Sequence, residues 1–148
     1  MQKKVETVKA PKAIGPYAQG VKAGGFVFTS GQIALDPVTN NVEETAIEGQ
    51  TERVILNLQA VLEAADMTLD NVVKTTCYLH NMSDFAAFNE IYAKFFTANP
   101  ARSCIAAKEL PRGVLVEIDA VAYCKALPLN RVDADEDFDQ GSVERVSL

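Results

Sequence analysis

The stretch Asn99-Pro100-Ala101-Arg102-Ser103-Cys104-Ile105 marks a change of secondary structure in the second half of the chain. Pro100 cannot continue a helix and disfavours helical backbone at the residue before it, so the helical pattern upstream ends here. The run that follows predicts a strand, in which residues two apart share a face. Arg102 and Cys104 are therefore predicted to point the same way. An arginine at the start of such a strand needs an anionic partner, either a protein carboxylate or a ligand.

Hydrophobic periodicity around this stretch predicts two helices and six β-prone segments. From about Glu44 onward, buried-type residues recur at three- and four-residue spacing, as on one stripe of an amphipathic helix. The stripe consists of Ile47, Thr51, Val54, Leu58, Val61, Leu62 and Ala65. Ser83 or Asp84 is predicted to cap a second helix, whose stripe is Phe85, Phe88, Tyr92, Phe95 and Phe96. The β-prone segments are residues 4–9, 18–22, 26–35, 72–79, 102–107 and 114–124.

The last of these segments alternates clearly between two faces. One face is apolar and consists of Val116, Ile118, Ala120, Ala122 and Cys124. The other face mixes apolar residues with the carboxylates Glu117 and Asp119. Because two helices cover only one face of a sheet, we expect the second face to be a subunit interface with polar sites set into it.

Three details of the strands carry separate predictions. Gly31 interrupts the segment 26–35, and glycine inside a strand often marks a bulge or a close backbone approach. In the segment 72–79, Val73, Cys77 and Leu79 are predicted to share a face. Cys77 and Cys124 both fall in apolar patterns and are predicted to lie in the core.

The composition is that of one soluble globular domain followed by an acidic tail. The chain has 148 residues, 48% of them hydrophobic, and a net charge of −6, which does not favour a nucleic-acid-binding surface. The acidic excess is concentrated at the end, because residues 131–148 contain six acidic and two basic side chains. We predict a folded domain at 1–127 and a flexible, acidic extension at 128–148.

Several classes of protein are disfavoured by what the sequence contains. Three cysteines without a CxxC motif do not form a disulfide scaffold, and a single histidine, His80, disfavours a histidine-dependent triad or a zinc cluster. The apolar runs are too short for a membrane span, and residues 1–10 lack the apolar core of a signal peptide. A reducing, cytoplasmic compartment fits best.

Four short motifs together resemble the RidA (YjgF) family of enamine/imine deaminases. They are Ile14-Gly15-Pro16-Tyr17, Thr29-Ser30-Gly31-Gln32, Pro100-Ala101-Arg102-Ser103-Cys104 and Val116-Glu117-Ile118-Asp119-Ala120. The resemblance covers roughly residues 3–125. It implies an α+β, chorismate-mutase-like fold with a six-stranded, mostly antiparallel sheet backed by two helices. It also implies a homotrimeric ring with sites in the clefts between subunits.

The resemblance further implies a reaction and a set of site residues. The reaction is cofactor-free hydrolysis of 2-aminoacrylate and related 2-imino acids to 2-keto acids and ammonium, with no metal. Arg102 would hold the substrate carboxylate, and Glu117 would orient or activate the attacking water. The remaining site residues implied are Tyr17, which would close the site, Ser30 and Gly31, which would line it, the backbone of Cys104, and Asn89 from the second helix.

Other interpretations stay open from the sequence. Arg102 could instead pair with Glu117 or Asp119 across the sheet, Glu117 could be a solvated or interface carboxylate, and Tyr17 could simply pack its loop. A nucleophilic role for Cys104 is disfavoured, since a reactive thiolate usually needs a nearby base or helix N-terminus. The whole ring could also be a non-catalytic protein that binds small carboxylates or regulates, because binding needs only the arginine.

Overall fold

A computed structural model describes residues 2–125 of the chain. The predicted extension at 128–148, and the last residues of the predicted domain at 1–127, lie outside this range. Within it, two α-helices, three short 3₁₀ turns and one sheet account for the regular structure.

The sheet has six strands in the order β1-β2-β3-β6-β4-β5. They are β1 (Gln2–Val5), β2 (Gly20–Ala23), β3 (Phe26–Thr29), β4 (Val72–Leu79), β5 (Ala101–Ala106) and β6 (Val116–Tyr123). β4 and β5 run parallel, and every other neighbouring pair is antiparallel. The predicted mostly antiparallel six-stranded sheet is therefore confirmed, and the chain after Pro100 forms one edge of it.

Two helices, α1 (Ile47–Glu63) and α2 (Phe85–Phe95), pack on one face of the sheet. The predicted stripe on α1 is buried along its whole length. It forms one core with Phe88 and Tyr92 of α2 and with the alternate β6 positions Val116, Ile118, Ala120 and Ala122. Burial of apolar side chains at the predicted spacing thus fixes the helices on this face.

The opposite face of the sheet, here called the open face, has no helix of residues 2–125 packed on it. Phe26, Phe28 and Tyr123 cluster there, with the Phe26 ring centroid 4.9 Å from that of Tyr123 and 6.1 Å from that of Phe28. Each of these three aromatic side chains is more than 40% exposed. An apolar group of this kind on one sheet face typically packs against another molecule.

Four details of the sequence prediction are wrong. β1 ends at Val5, and β3 ends at Thr29 rather than near residue 35. Cys124 is exposed because β6 ends at Tyr123. A register shift between Val72 and Lys74 leaves Val73 45% exposed, since a bulge changes the face on which a side chain lies.

Asp84 occupies the N-cap position of α2, but its side chain makes no capping hydrogen bond. A short 3₁₀ turn, Met82–Asp84, leads into the helix instead. None of the helices within residues 2–125 combines the length and the hydrophobicity that a bilayer crossing requires.

Candidate active site

The chain after β3 forms an arch over β6. The Thr29 hydroxyl accepts a hydrogen bond of 2.9 Å from the backbone N–H of Ala120. Backbone pairing resumes at Gln32, which exchanges N–H···O bonds of 2.8 and 3.1 Å with Ile118. Ser30 and Gly31, the residues between these attachments, make up the arch. The irregularity that glycine predicted is therefore present.

The arch lies directly against the side chain of Glu117. A Cβ atom placed on Gly31 would be 2.9 Å from Cδ and 3.1 Å from Oε2 of that carboxyl group. A separation below 3.0 Å is shorter than atoms in van der Waals contact adopt, so a side chain at this position would force the Glu117 carboxyl group to move. The arch and the carboxyl group thus form one closely fitted unit.

A cavity of about 390 Å³ opens at this unit. Its apolar lining comprises Pro11, Ile14, Ile33, Leu35 and Pro111. Four of the predicted site residues, Tyr17, Ser30, Gly31 and Glu117, line it as well. The volume is in the range of small-molecule sites, and a single carboxylate lies among its lining residues. We call this cavity the carboxylate pocket.

Tyr17 and Ser30 are held in the carboxylate pocket by short-range hydrogen bonds. The Tyr17 hydroxyl accepts a hydrogen bond of 3.4 Å from the Ile14 N–H, and its side chain remains 52% exposed. The Ser30 hydroxyl donates to the carbonyl oxygen of Ala18 over 2.5 Å. Both side chains are therefore positioned by the segment that precedes β2.

The surroundings of Glu117 and of its neighbour Asp119 raise the pKa of both carboxyl groups. Burial raises the pKa of Glu117, and the neighbouring Asp119 carboxylate raises it further. Burial also raises the pKa of Asp119, although a hydrogen bond of 3.3 Å donated by the Tyr78 hydroxyl and the charge of Lys74 oppose that rise. A carboxyl pKa moved towards neutrality suits general acid–base chemistry.

Arg102 lies elsewhere, on the helix-covered face. Its Nη1 donates a hydrogen bond of 2.7 Å to Oδ1 of Asn89 on α2. The guanidinium carbon is 4.8 Å from the ring centroid of Tyr92, 5.5 Å from that of Phe85 and 5.9 Å from that of Phe88. Rings at these distances attract a cation through their negative faces. We call Arg102, Asn89 and the three rings the arginine cradle.

The strand register shows that the cradle and the pocket do not meet within one chain. Arg102 pairs with Thr75 of β4, which is buried and pairs in turn with buried Ala120. Glu117 points to the other face, and β4 lies between the two strands. A cross-sheet pair of Arg102 with Glu117 or Asp119 is thereby excluded. The partner of Arg102 within residues 2–125 is a neutral amide oxygen.

Cys104 shares the face of Arg102, as predicted from the strand period, and is partly buried. Burial raises the pKa of its thiol more than the charge of Arg102 lowers it. Burial also raises the pKa of Cys77 to about 12. Both cysteines thus favour the protonated, unreactive form.

Three polar residues of the carboxylate pocket were not predicted from the sequence. Lys12 and Arg112 contribute two cations to its lining, and Gln19 contributes a buried amide. Arg112 has a left-handed backbone with φ of 56° and donates a hydrogen bond of 3.0 Å to the Asn40 carbonyl. Gln19 could have been noticed, because it follows the Ile14–Tyr17 motif by two residues. Among residues 2–125, no group of three His, Cys, Asp or Glu side chains is arranged to hold a metal.

Comparison with known proteins identifies the family. A family profile described as Endoribonuclease L-PSP matches residues 7–124. The chain belongs to the RidA (YjgF) family. It is 44% identical over 126 residues to the 2-iminobutanoate/2-iminopropanoate deaminase of Salmonella typhimurium. The aligned region covers 82% of this chain and 98% of that enzyme.

Solved structures share the fold. A Rid family protein from Yersinia pestis superposes with a TM-score of 0.81 at 41% identity and covers 84% of this chain and 100% of its own. TdcF from E. coli, solved with bound serine, superposes with a TM-score of 0.80 at 39% identity and covers 82% of this chain and 98% of its own. The predicted family and its α+β fold are confirmed.

Proposed function

We propose that this protein hydrolyses 2-aminoacrylate and related 2-imino acids to 2-keto acids and ammonium. The observation that carries the proposal is the half-buried Glu117 carboxyl group, whose pKa is raised, in a pocket lined by apolar residues and by two cationic side chains. The relative from Salmonella typhimurium is named for this reaction. The serine bound to TdcF shows that another member of the family holds a small amino acid.

The chemistry needs few groups. The enamine tautomerises to an imine, whose carbon is already electrophilic. Water adds to the carbon of the protonated imine while Glu117 takes one of its protons, and the product is a neutral tetrahedral carbinolamine. Glu117 then returns that proton to the nitrogen, the C–N bond breaks, and the departing ammonia takes the hydroxyl proton, so that a keto group and ammonium form. General acid–base help of this kind contributes roughly 10²–10⁴-fold, so the proposed reaction requires neither a metal nor an organic cofactor.

Arg102 is the proposed anchor for the substrate carboxylate. Its guanidinium can form two parallel charge-assisted hydrogen bonds to a carboxylate. Asn89 and the Tyr92 ring contact this group, and its other donors have no hydrogen-bond partner among residues 2–125, so they can bind a ligand. The backbone of Cys104 is proposed to add polar contacts beside it.

The proposed site is shared between subunits. Arg102 and Glu117 face opposite sides of the sheet, so one chain cannot present both groups to the same small molecule. The open face carries exposed aromatic residues on β6, the strand that bears Glu117, and on the neighbouring β3, and a second copy would cover them. We therefore propose a homotrimer whose clefts combine the carboxylate pocket of one subunit with the arginine cradle of the next.

The first experiment couples the purified protein to a serine dehydratase and times 2-keto acid release. We expect acceleration by the wild type and by the surface control Glu63→Gln, and no acceleration by Glu117→Gln or Arg102→Ala. An unaccelerated wild type would favour the alternative of a non-catalytic, carboxylate-binding or regulatory ring. A relative from Lactococcus lactis, 46% identical, is named as a putative regulator.

The second experiment tests the shared site. Glu117→Gln and Arg102→Ala subunits are unfolded, mixed in equal amounts and refolded. Random assembly gives about a quarter of the clefts two intact residues, so about a quarter of wild-type activity should return. Each variant refolded alone should stay inactive and, by sedimentation, trimeric. A mixture as inactive as its components would contradict the proposed arrangement.

A further inference from the structure

The loop that carries Tyr17 has little regular secondary structure of its own. Residues 7–17 contain no helix or strand, and such a segment must find hydrogen-bond partners for its backbone outside a ladder. Three of its carbonyl groups and one N–H find them in a single side chain, that of Gln19.

Gln19 is only 4% exposed, and both ends of its amide are occupied. Its Nε2 donates towards the carbonyl oxygens of Pro11 at 2.8 Å, Thr7 at 3.0 Å and Ala10 at 3.2 Å. Its Oε1 accepts a hydrogen bond of 2.7 Å from the N–H of Thr7. One side-chain amide therefore supplies the hydrogen-bond partners that a neighbouring strand supplies in a sheet.

The backbone of Gln19 makes the second connection. Its carbonyl oxygen accepts a hydrogen bond of 2.9 Å from the N–H of Ser30, the first residue of the arch. Residues of the loop and of the arch line the carboxylate pocket, and Gln19 is bonded to both. Gln19 thus links the loop that carries Tyr17 to the arch that contains Gly31.

We propose that Gln19 is a positioning residue of the active site, one that orders the loop of residues 7–17 so that Tyr17 closes over the pocket. The expected effect on KM rests on the proposed function. The ordering of residues 7–17 rests on the hydrogen bonds of Gln19 alone. Because both amide atoms are bonded to backbone, Gln19 acts through Tyr17 and not on the substrate directly.

The kinetic test replaces Gln19 by methionine, which has a similar length and no hydrogen-bonding amide. We expect Gln19→Met to raise KM for the imino acid about tenfold and to change kcat less than threefold. The reason is that an interaction equally strong with the bound substrate and with the transition state affects KM alone. Gln59→Met on α1 is the control, because that amide bonds only to Glu63 at the surface, and its KM should not change.

A double-mutant cycle separates positioning from general stability. In a Tyr17→Ala background, Gln19→Met should change KM by less than twofold, because the residue through which it acts is gone. The same tenfold increase in both backgrounds would overturn the proposal. So would an unchanged KM for Gln19→Met in the wild-type background.

A readout without substrate keeps this proposal distinct from the proposed function. The chain has no tryptophan, so Val8→Trp, at a position 91% exposed, places a single reporter in the loop. We expect Gln19→Met to lower the fluorescence anisotropy of that reporter in the folded protein, and unchanged anisotropy would overturn the proposal. If imine hydrolysis is absent from the wild type, the proposed function fails and the anisotropy still decides the role of Gln19.

Hydrogen exchange covers the case in which Gln19→Met does not fold. In the wild type, the Thr7 N–H bonded to Gln19 should exchange at least tenfold more slowly than the exposed Val8 N–H. Equal exchange rates for the two amides would overturn the proposal.

Discussion

Substituting alanine for Gly31 tests the active-site geometry most directly. The added Cβ would stand 2.9 Å from Cδ of Glu117, whereas carbon atoms in contact normally keep about 3.5–4.0 Å. The carboxyl group must therefore retreat by roughly 0.6–1.1 Å. A misplacement of about 1 Å costs on the order of 10²-fold in rate, so kcat should fall about a hundredfold.

The stability of Gly31→Ala should change much less than its activity. The side chain of Glu117 is partly exposed and can rotate away from the new methyl group. We therefore expect a loss of about 1 kcal/mol in the free energy of unfolding, at the low end of overpacking effects. That loss corresponds to a fall in Tm of about 4 °C, measurable by calorimetry.

The assay is imine hydrolysis coupled to the dehydratase, run on Gly31→Ala, Glu117→Gln and the double variant. Because the methyl group acts by moving the carboxyl group, Gly31→Ala should keep a residual acceleration that Glu117→Gln lacks, and the double variant should not differ from Glu117→Gln. A single variant Gly31→Ala with kcat within threefold of the wild type would refute the reasoning. It would mean either that the two residues are not in close contact or that the carboxyl group takes no part in the reaction.

Two further predictions concern charge. Arg102→Lys keeps the cation but loses the guanidinium fork and its planar contact with the rings, so kcat/KM should fall roughly 10–100-fold; undiminished kcat/KM would show that a point charge suffices. The raised pKa of Glu117 means that the folded protein binds its proton more tightly than the unfolded chain does. Its contribution to stability is therefore complete below the ordinary value of 4.5 and is lost as the pH rises through the folded value. Urea denaturation from pH 4 to pH 7.5 should show a smaller loss of stability for Glu117→Gln than for the wild type, and an equal or larger loss would contradict the assigned shift.

The sequence was sufficient for features that depend on local periodicity. The α1 stripe and the alternation along β6 both repeat with the period of their element, and burial follows that period at each predicted position up to Ala122. Where the period was extended past the end of an element, as at Cys124, the prediction failed. The prediction for Val73 failed for a similar reason. The extra residue of a bulge reverses the face on which side chains lie, and no sequence pattern indicates where it occurs.

The relation between Arg102 and Glu117 could not be predicted in this way. Their relative faces depend on the strand order β6-β4-β5 and on the register of both pairings. These are non-local features set by the packing of the whole sheet. The role of Gln19 was equally hidden, because its four partner atoms belong to an irregular loop that no periodicity describes.

The separation of the two charged groups also bears on how the pKa of Glu117 would be set. In one chain, burial and the Asp119 carboxylate both raise it. A neighbouring subunit covering the open face would increase burial and raise the pKa further, whereas a guanidinium brought by that subunit would lower it. The substrate carboxylate would neutralise that guanidinium, so that burial and Asp119 keep the pKa of Glu117 raised in the complex. Substrate binding would in this way prepare the base for proton transfer at the moment when the imine arrives, and subunit assembly would be part of the catalytic machinery.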